Sequence, residues 1–525
     1  MAARGGLTPQ VDVLVVGAGP AGLATAVQAR AHGATVRVVE RRPDPFRPSR
    51  AMIVHPRTLE GLRPLGVAER VLEVGDRAPR AQLHLGSRTV WAQLADVALA
   101  DTAYPHLTMV RQMDVEEALG ATLRDQGVEV ERGTEMVTAA AAHGMARATL
   151  RTGDRVTEAT CRFVAGCDGQ ASTVRGLMGT GWHGGPYRTE VVLADAELDG
   201  DLAPGVLHVA AGRSGLAFVF ALGEGATWRV LATRPAGPVD LPFGQPGPPV
   251  PVEEVQALLD AAGLPALVAP LRWSAVVRLQ HRLAQTFRQG PFFLVGDAAH
   301  THSPAAAQGM NTGILDALNL GWKLAFAARA AGEGRLVSTL APLLDSYEQE
   351  RRPVAREVLA LTHLVFFAEA STNPLAALLR GTLVPLAAPA APFVLRQRLP
   401  MAGVVRVLSQ QWVHYRRSPL SVDGGRGHRG PRAGERLPDS DVTAGSHRSR
   451  VHELTATPGV HVLLQRDAAA PTGVRAGSPV TVHRVDSWLG AGLLAVRPDG
   501  HVGLRTADAA DGRLAGWLDL VGIPR

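Results

Sequence analysis

Lysine is almost missing from this chain. Lys323 is the only one in 525 residues, so arginine supplies nearly all of the 54 positive charges behind a formal net charge of +6. A positive balance invites a nucleic-acid reading, but the arginines are spread along the chain, often beside acids, instead of forming one basic face. Aromatic residues make up only 5%, too few for a base-stacking surface. Nucleic acid is therefore not an expected partner. Cysteine is scarce too, with only Cys161 and Cys167. They share the strand-like segment Thr160 to Cys167, whose six-residue extended span sets them roughly 20 Å apart, whereas a disulfide needs Cα atoms within about 7 Å. Two separate buried thiols in a reducing compartment are expected. Long apolar runs are also lacking. The first ten residues have no apolar core of a secretory signal. The apolar stretch from Gly381 to Leu395 falls short of the ~20 residues a membrane helix needs, and Pro385, Pro389 and Pro392 interrupt it. A soluble cytoplasmic protein with no membrane partner is the expectation. With 46% hydrophobic and 19% charged residues, disorder is excluded and two or three domains with real cores are expected.

The clearest local pattern lies near the start. Val11 to Val16 reads as a buried strand, Ala21 to His32 as a helix stopped by Gly33, and Thr35 to Val39 as a second strand, which together make a β-α-β unit. Between strand and helix stands Gly17-Ala18-Gly19-Pro20-Ala21-Gly22, a G-x-G-x-x-G string. In such a turn the first glycine permits the tight bend, the second lets backbone approach a pyrophosphate, and the third lets helix and strand pack closely. The helix N-terminus favours phosphate charge. Glu40 follows the second strand, where a carboxylate accepts ribose hydroxyls and disfavours a 2′-phosphate, so NADPH is not expected in this site. The motif by itself leaves FAD and NAD both open. Two further strings, Gly425 to Gly430 and Gly490 to Ala495, match the spacing but lack the strand before or the helix after, and both are set aside.

Further on, helices are expected over Arg57 to Leu65, Asp114 to Gln126, Asn311 to Ala330 and Leu343 to Leu359. Strands are expected at Val128 to Val130, recurrently from Val191 to Arg234, and at Pro291 to Val295. Short strands at His461 to Leu464 and Gly492 to Val496 point to a separate terminal unit. Cys167-Asp168-Gly169 after a strand is by itself an ordinary turn signal. Phe292-Phe293-Leu294-Val295-Gly296-Asp297-Ala298-Ala299-His300 says more: an apolar strand ends in an acid able to hold a ribitol hydroxyl. A helix starting near Gly309 could offer backbone N–H groups to the pyrimidine end of a flavin. His300, His302 and Asp297 lack a further strong ligand at usual spacing, so a metal is not expected.

Taken together these segments resemble the single-component FAD-dependent aromatic hydroxylases, the class of p-hydroxybenzoate, phenol and actinobacterial polyketide hydroxylases. The resemblance covers roughly residues 10 to 360. Besides the glycine turn with Glu40, it rests on Ser49-Arg50-Ala51, His55-Pro56-Arg57-Thr58-Leu59-Glu60, Gln112, Cys167-Asp168-Gly169, Gly296-Asp297-Ala298-Ala299-His300, Gln308-Gly309-Met310-Asn311-Thr312-Gly313, and Glu350-Arg351-Arg352-Pro353. It implies an α/β fold: a Rossmann-like FAD-binding domain at 1–185 (with an excursion at about 75–110) and at 286–415, an inserted, mainly antiparallel substrate sheet at 186–285, and a thioredoxin-like unit at 416–525. That last unit lacks Cys-x-x-Cys, so a structural or homodimer-related role is expected instead of thiol chemistry.

The resemblance also implies a reaction in which NAD(P)H reduces FAD, O₂ adds, and a C4a-hydroperoxyflavin transfers oxygen to a polycyclic aromatic, polyketide-type substrate. Baeyer–Villiger oxidation and a non-catalytic FAD scaffold are the alternatives. By resemblance Gly17, Gly19, Pro20, Ala21, Gly22, Glu40 and Arg41 hold the adenosine diphosphate half. Arg111 and Gln112 lie near the flavin chain, Asp168 supports the NAD(P)H or pyrophosphate region, and Gly296-Asp297 holds the ribitol. Arg50 sits near the flavin or its mobile path, Pro304 lines the reactive side, and Gly309, Met310 and Asn311 face the isoalloxazine. Arg50, Pro304 and Gly309 are the catalytic candidates. His281, Arg278, Arg229 and Arg213 near the sheet are read as structural, and Phe218, Phe220 and Trp228 as pocket walls or sheet packing. Two departures stand out. Ala305-Ala306-Ala307 follow Pro304 where the family commonly carries glycines, and alanine does not easily take positive φ, so a stiffer loop is expected. Gln170-Ala171-Ser172 follow Asp168-Gly169 where an arginine often precedes the serine.

Overall fold

A computed structural model describes residues 9–524 except 46–51, 86–87, 95–97, 204, 213–214, 225, 238–242, 305–306, 371–397, 425–429, 446, 466–467, 469, 472–473, 476 and 487–491. The apolar stretch 381–395 and most of the two discarded glycine strings therefore lie outside the described residues.

The first sheet runs Arg288–Gln289, Phe292–Leu294, Arg155–Gly166, Val11–Val16, Val36–Glu40, Val130–Arg132, with Thr134–Ala142 and Met145–Thr152 attached at one side. Its middle strands pair in parallel, Val13 with Phe163 and Val36, and Val164 with Phe292. Their central residues are fully buried, Val13, Leu14, Val15, Val38 and Val164 among them, as in the middle of a parallel sheet. The helix Pro20–Ala31 packs on one face and contacts the helix Gln308–Gly332, of which 21 residues are buried. Cys161 and Cys167 are separate, buried thiols. Burial pushes the Cys161 thiol up to about 12 and that of Cys167 higher still, so neither is a nucleophile at neutral pH.

A second, mixed sheet is inserted between two parts of the first. Its order is His300–Thr301, Ala266–Ala284, Trp182–Gly200, Ala226–Pro235, Gly215–Glu224, Val206–Gly212, Arg80–Leu85, Arg88–Gln93. All neighbours are antiparallel except Val206–Gly212 against Arg80–Leu85. One face packs on the helix Val252–Ala262 around Val192, Val219, Val230 and Val276. The opposite face carries Val191, Leu193, Leu231 and Val277, with Phe218, Trp273 and Leu279 against them. The strands Trp182–Gly200 and Ala266–Ala284, each 19 residues long, pair with one another along most of their length.

A third, five-stranded sheet runs Val422–Asp423, Val502–Thr506, Leu493–Val496, Val460–Gln465, Val480–Val485, and the helix Arg513–Leu520 follows. A buried polar seam fastens this unit to the helices Gln308–Gly332 and Ala341–Ala370. Arg497 donates from Nη1 and Nη2 to Glu350 at 2.7 Å each, and Lys323 donates to Glu350 Oε2 and Asn319 Oδ1 at 2.8 Å each. The single lysine is thus fully buried, and burial, opposed by Glu350, lowers it to about 8. Among the described residues no helix is long and apolar enough to cross a membrane.

Candidate active site

At the end of the first strand, Gly17 takes φ +103, and a Cβ there would lie 2.4 Å from the Cys167 carbonyl oxygen. A Cβ on Gly22 would lie 1.9 Å from the carbonyl oxygen of Gly17. Both glycines are therefore demanded by close backbone contacts. Gly19 differs: nothing stands within 4 Å of its would-be Cβ, and it precedes Pro20 at the open end of the helix Pro20–Ala31. This is a cradle shaped for a group from outside the chain. Across it, Glu40 Oε2 accepts from the Ala18 N–H at 2.8 Å and Oε1 from that of Arg42 at 3.0 Å. The acid is fixed at the rim where a ribose would reach it.

The second half of the site comes from 280 residues downstream. The strand Phe292–Leu294 runs through Val295 into a 3₁₀ turn, Gly296–Ala298, in which Gly296 and Ala298 are buried and Asp297 is exposed. A Cβ on Gly296 would lie 3.1 Å from the Ala21 Cβ and 3.5 Å from the Gly313 Cα, so two helix starts and this turn meet closely. The N-termini of both helices, Pro20–Ala31 and Gln308–Gly332, open onto one cleft, and each brings the positive end of its dipole. Asp316 tethers the turn from behind. Its Oδ2 accepts from the Gly296 N–H at 3.3 Å and His300 Nε2 at 2.6 Å, and its Oδ1 from Arg351 Nε at 2.6 Å. Burial would raise the Asp316 carboxyl, but Arg351 and His300 hold it below its ordinary value. His300 is thus engaged by Asp316, and no group of three metal-ligating side chains occurs among the described residues.

The structure brings most of the sequence candidates into this cleft: Gly17, Gly19, Pro20, Ala21, Glu40, Arg41, Gln112, Asp168, Gly296, Asp297, Pro304, Gly309 and Met310 all line it. Four do not. Gly22 serves the packing beneath the turn. Arg111 turns to Asp114, donating from Nε and Nη2 at 2.7 Å each. Asn311 points its side chain away, accepting from the His55 N–H and the Thr58 hydroxyl and donating to the Ile53 and Ala307 carbonyls. Arg50 lies outside the described residues. Asp168 lines the cleft while capping the helix Thr173–Met178, since it accepts from Ser172 Oγ at 2.6 Å and the Thr173 N–H at 2.7 Å. Burial pushes its carboxyl up, and those bonds partly pull it back.

The last alanine of the run after Pro304 has an unusual backbone. Ala307 adopts φ +52, ψ +36, the left-handed conformation that glycine accepts freely, and serves as the N-cap of the helix Gln308–Gly332 without a side-chain bond. Alanine therefore keeps the glycine-like geometry here and bears the strain; Ala305 and Ala306 lie outside the described residues. The sequence reading also missed part of the wall. Arg278, Leu279 and Gln280 of the long strand line the cleft, with Gln170 and Gln245. Arg278, read as structural, is among them. Gln280 Nε2 donates to Gln170 Oε1 at 3.0 Å, joining the second sheet to the flavin side. Alternation alone could not have told which face of the strand turns to the cleft. His302, also on the wall, is lowered to about 4, chiefly by burial, so it is neutral at pH 7. Its Nδ1 bonds the Ser303 carbonyl at 2.9 Å and so carries the proton. The buried Thr301 hydroxyl borders the cleft with no partner among the described residues, a vacancy for a ligand's polar atom.

Paired glycine turn, ribose-side acid, exposed Asp297 and two converging helix starts fit FAD along their whole length. The comparisons agree. A family model described as an FAD binding domain matches residues 10–362. The chain is 32% identical over 493 residues to the 6-methylpretetramide 4-monooxygenase of Streptomyces rimosus, covering 91% of this chain and 84% of that protein. It is 30% identical over 512 residues to a flavin-dependent monooxygenase of Mycobacteroides abscessus, covering 94% and 97%. Among solved structures, an anhydrotetracycline hydroxylase from Streptomyces rimosus superposes with a TM-score of 0.76 at 27% identity, covering 98% of this chain and 100% of that one. The chain belongs to this FAD-binding family, as a single-component flavin-dependent monooxygenase. It is an enzyme with FAD as its cofactor.

Proposed function

We propose that the enzyme hydroxylates an electron-rich ring of a polycyclic, polyketide-type aromatic, with reducing equivalents from NAD(P)H and oxygen from O₂. The observation that carries this reading is the cleft itself: it is lined by the glycine turn, Glu40, Asp297 and Pro304, and Leu279 on its wall packs against the apolar face of the inserted sheet. Relatives bear names of tetracyclic substrates. One solved structure, with a TM-score of 0.75 at 25% identity, covering 98% of this chain and 99% of that one, is an aklavinone-11 hydroxylase holding FAD and aklavinone. Bound FAD supplies hydride acceptance and oxygen activation; the protein supplies position, charge and dryness.

In this reading Glu40 and Arg41 hold the adenosine ribose side, and the amides around Gly19 meet the pyrophosphate. Gln112 lies along the flavin chain, and Asp168 borders the region where the nicotinamide visits. Asp297 accepts from ribitol hydroxyls. The backbone N–H groups at Gly309 and Met310, at the positive end of a 25-residue helix, stabilise negative charge on the pyrimidine end of the ring. Asn311 contributes through its backbone and by fixing Ala307. Pro304 lines the reactive side, and Arg50 is assigned to the flavin's path. Val191, Leu193, Val277 and Phe218 keep water from the substrate's rings.

We further read the chain as flavin domain 1–185 and 286–415, substrate sheet 186–285 and a thioredoxin-like unit 416–525 with a structural or homodimer role in the cytoplasm. The test is a screen of aromatic polyketides for stimulated NADPH oxidation, with product NMR. A new phenol is expected. Ring expansion would indicate Baeyer–Villiger oxidation instead, and oxidation indifferent to every aromatic would overturn the reading.

A further inference from the structure

Four non-glycine residues among those described have left-handed backbone: Ala98, His143, Ala307 and Gln410. Two of the four serve one helix start: Ala307 caps the helix Gln308–Gly332, and Gln410 bonds its first turns. Gln410, at φ +58 and 2% exposed, comes from the segment after the helix Arg398–Leu408, about a hundred residues beyond Ala307. Its Nε2 donates to Gln308 Oε1 at 2.9 Å and to Thr312 Oγ1 at 2.7 Å, both in the first turns of the helix that Ala307 starts. The contact is reinforced on either side. Gln308 Nε2 donates to the Leu408 carbonyl, which His55 Nδ1 also bonds at 2.8 Å. Asn311 Nδ2 holds the Ala307 carbonyl at 2.9 Å, and Asn311 Oδ1 accepts the His55 N–H at 2.9 Å. A ring of bonds therefore closes around one strained turn.

Strained backbone of this kind persists only where its surroundings over-determine it, and it clusters at functional sites. Ala307, Gly309 and Met310 line the cleft while Gln410 does not, so Gln410 acts on the cleft only through the turn. An alanine left to itself would leave the left-handed region, whereas a glycine could stay. We propose that Gln410 is a positioning residue: it clamps the first turn of the helix Gln308–Gly332 and thereby holds Ala307 in the conformation that presents the Gly309 and Met310 amides to the flavin ring. The role of the glycines expected at this loop is thus taken over by a clamp supplied from the far end of the chain. This rests on the placement of the flavin ring proposed above.

The test uses the full chain with FAD, in Gln410→Leu, Ala307→Gly and the double variant. FAD affinity is read by fluorescence quenching and ring orientation by visible circular dichroism. Gln410→Leu is expected to weaken FAD about 10-fold, the scale of two lost hydrogen bonds, and to change the visible dichroism. Ala307→Gly is expected to restore most of both in the Gln410→Leu background while changing the parent little. A generally destabilising substitution would lower the melting temperature without that selective rescue. Should Gln410→Leu fail to fold, Thr312→Val removes one of the two bonds without touching the Gln410 backbone and is expected to weaken FAD about 5-fold. Additive effects of the two substitutions, or FAD binding and dichroism unmoved by both Gln410→Leu and Thr312→Val, would overturn the proposal. If Gly309→Val and Asp297→Ala also left FAD binding unmoved, the placement of the flavin would fall with it. If those two weakened FAD and the clamp variants did not, only the role of Gln410 would fall.

Discussion

Gly19→Ala and Gly22→Ala are expected to fail in opposite ways, although the two glycines stand three residues apart in one motif. A Cβ at Gly22 would sit 1.9 Å from the Gly17 carbonyl oxygen, more than an ångström inside contact distance. Neither atom is the end of a movable side chain, so helix and strand must separate. Such overpacking costs about 1–3 kcal/mol, and the FAD-free protein should lose that much unfolding free energy. Gly19 has φ −76 and ψ −178 and open space around it. Alanine fits there, and by restricting the unfolded chain it should leave the FAD-free protein unchanged or more stable by about 0.4–1 kcal/mol. The added methyl occupies the approach of the pyrophosphate, however. Losing one charge-assisted bond, worth about 1.5–3 kcal/mol, should weaken FAD roughly 10- to 100-fold. The assay is urea unfolding of the FAD-free protein beside FAD titration by fluorescence quenching. Retained FAD affinity in Gly19→Ala, or equal destabilisation of the FAD-free protein by both substitutions, would refute the assignment of the two roles.

Arg351→Met should lower stability by about 3 kcal/mol, the lower end of the usual cost of removing one partner of a buried ion pair, because His300 still bonds Asp316. Asp316 is fully buried and Arg351 is 1% exposed, so neither can turn to water; an unchanged melting temperature would contradict this. Stability should also fall with acid from an unusually high pH. Burial lowers His32 and His501 from 6.5 to about 4, so below pH 6.5 the unfolded chain takes protons that the folded one refuses, at a cost on the order of 2 kcal/mol each by pH 5. A second loss follows between 4.5 and about 2. There Glu60 and Glu350, which burial would raise but Arg436 and Arg497 hold down, must protonate. Urea midpoints that stay flat from pH 7 to 5 would refute the histidine contribution.

The β-α-β unit was legible in the sequence because its strands are valine-rich and glycines bound its helix; its boundaries shift by a single residue. The helix at Gln308 starts one residue before Gly309, where the flavin motif set it, and three before the Asn311 expected from its apolar pattern, since its N-cap is an alanine held by distant contacts. The helix Ala341–Ala370 runs past the expected end at Leu359 and contains Pro353. The strand Ala266–Ala284 was missed because it contains Pro270, which falls where its pairing with Trp182–Gly200 is irregular, between Val268 and Leu271. The helix Val252–Ala262 was missed as well. Most cofactor residues were readable because they belong to contiguous motifs. Side-chain direction was not: Asn311 and Arg111 sit in the right segments but face their own scaffold, and Arg278 and Gln280 depend on which face of a strand meets the cleft.

The single lysine gives this protein an uncommon chemical property. Its only ε-ammonium is sealed in the seam among Glu350, Asn319 and Arg497, so no lysine stands on the surface for acylating reagents or lysine-specific proteases. A lysyl endopeptidase has one cleavage point in the entire chain, reachable only when the seam between the flavin-side helices and the last sheet opens. Because Lys323 lies in the middle of the buried helix Gln308–Gly332, the cutting rate there would report the free energy of opening the seam and unwinding that helix together, in an otherwise untouched molecule and without an introduced label.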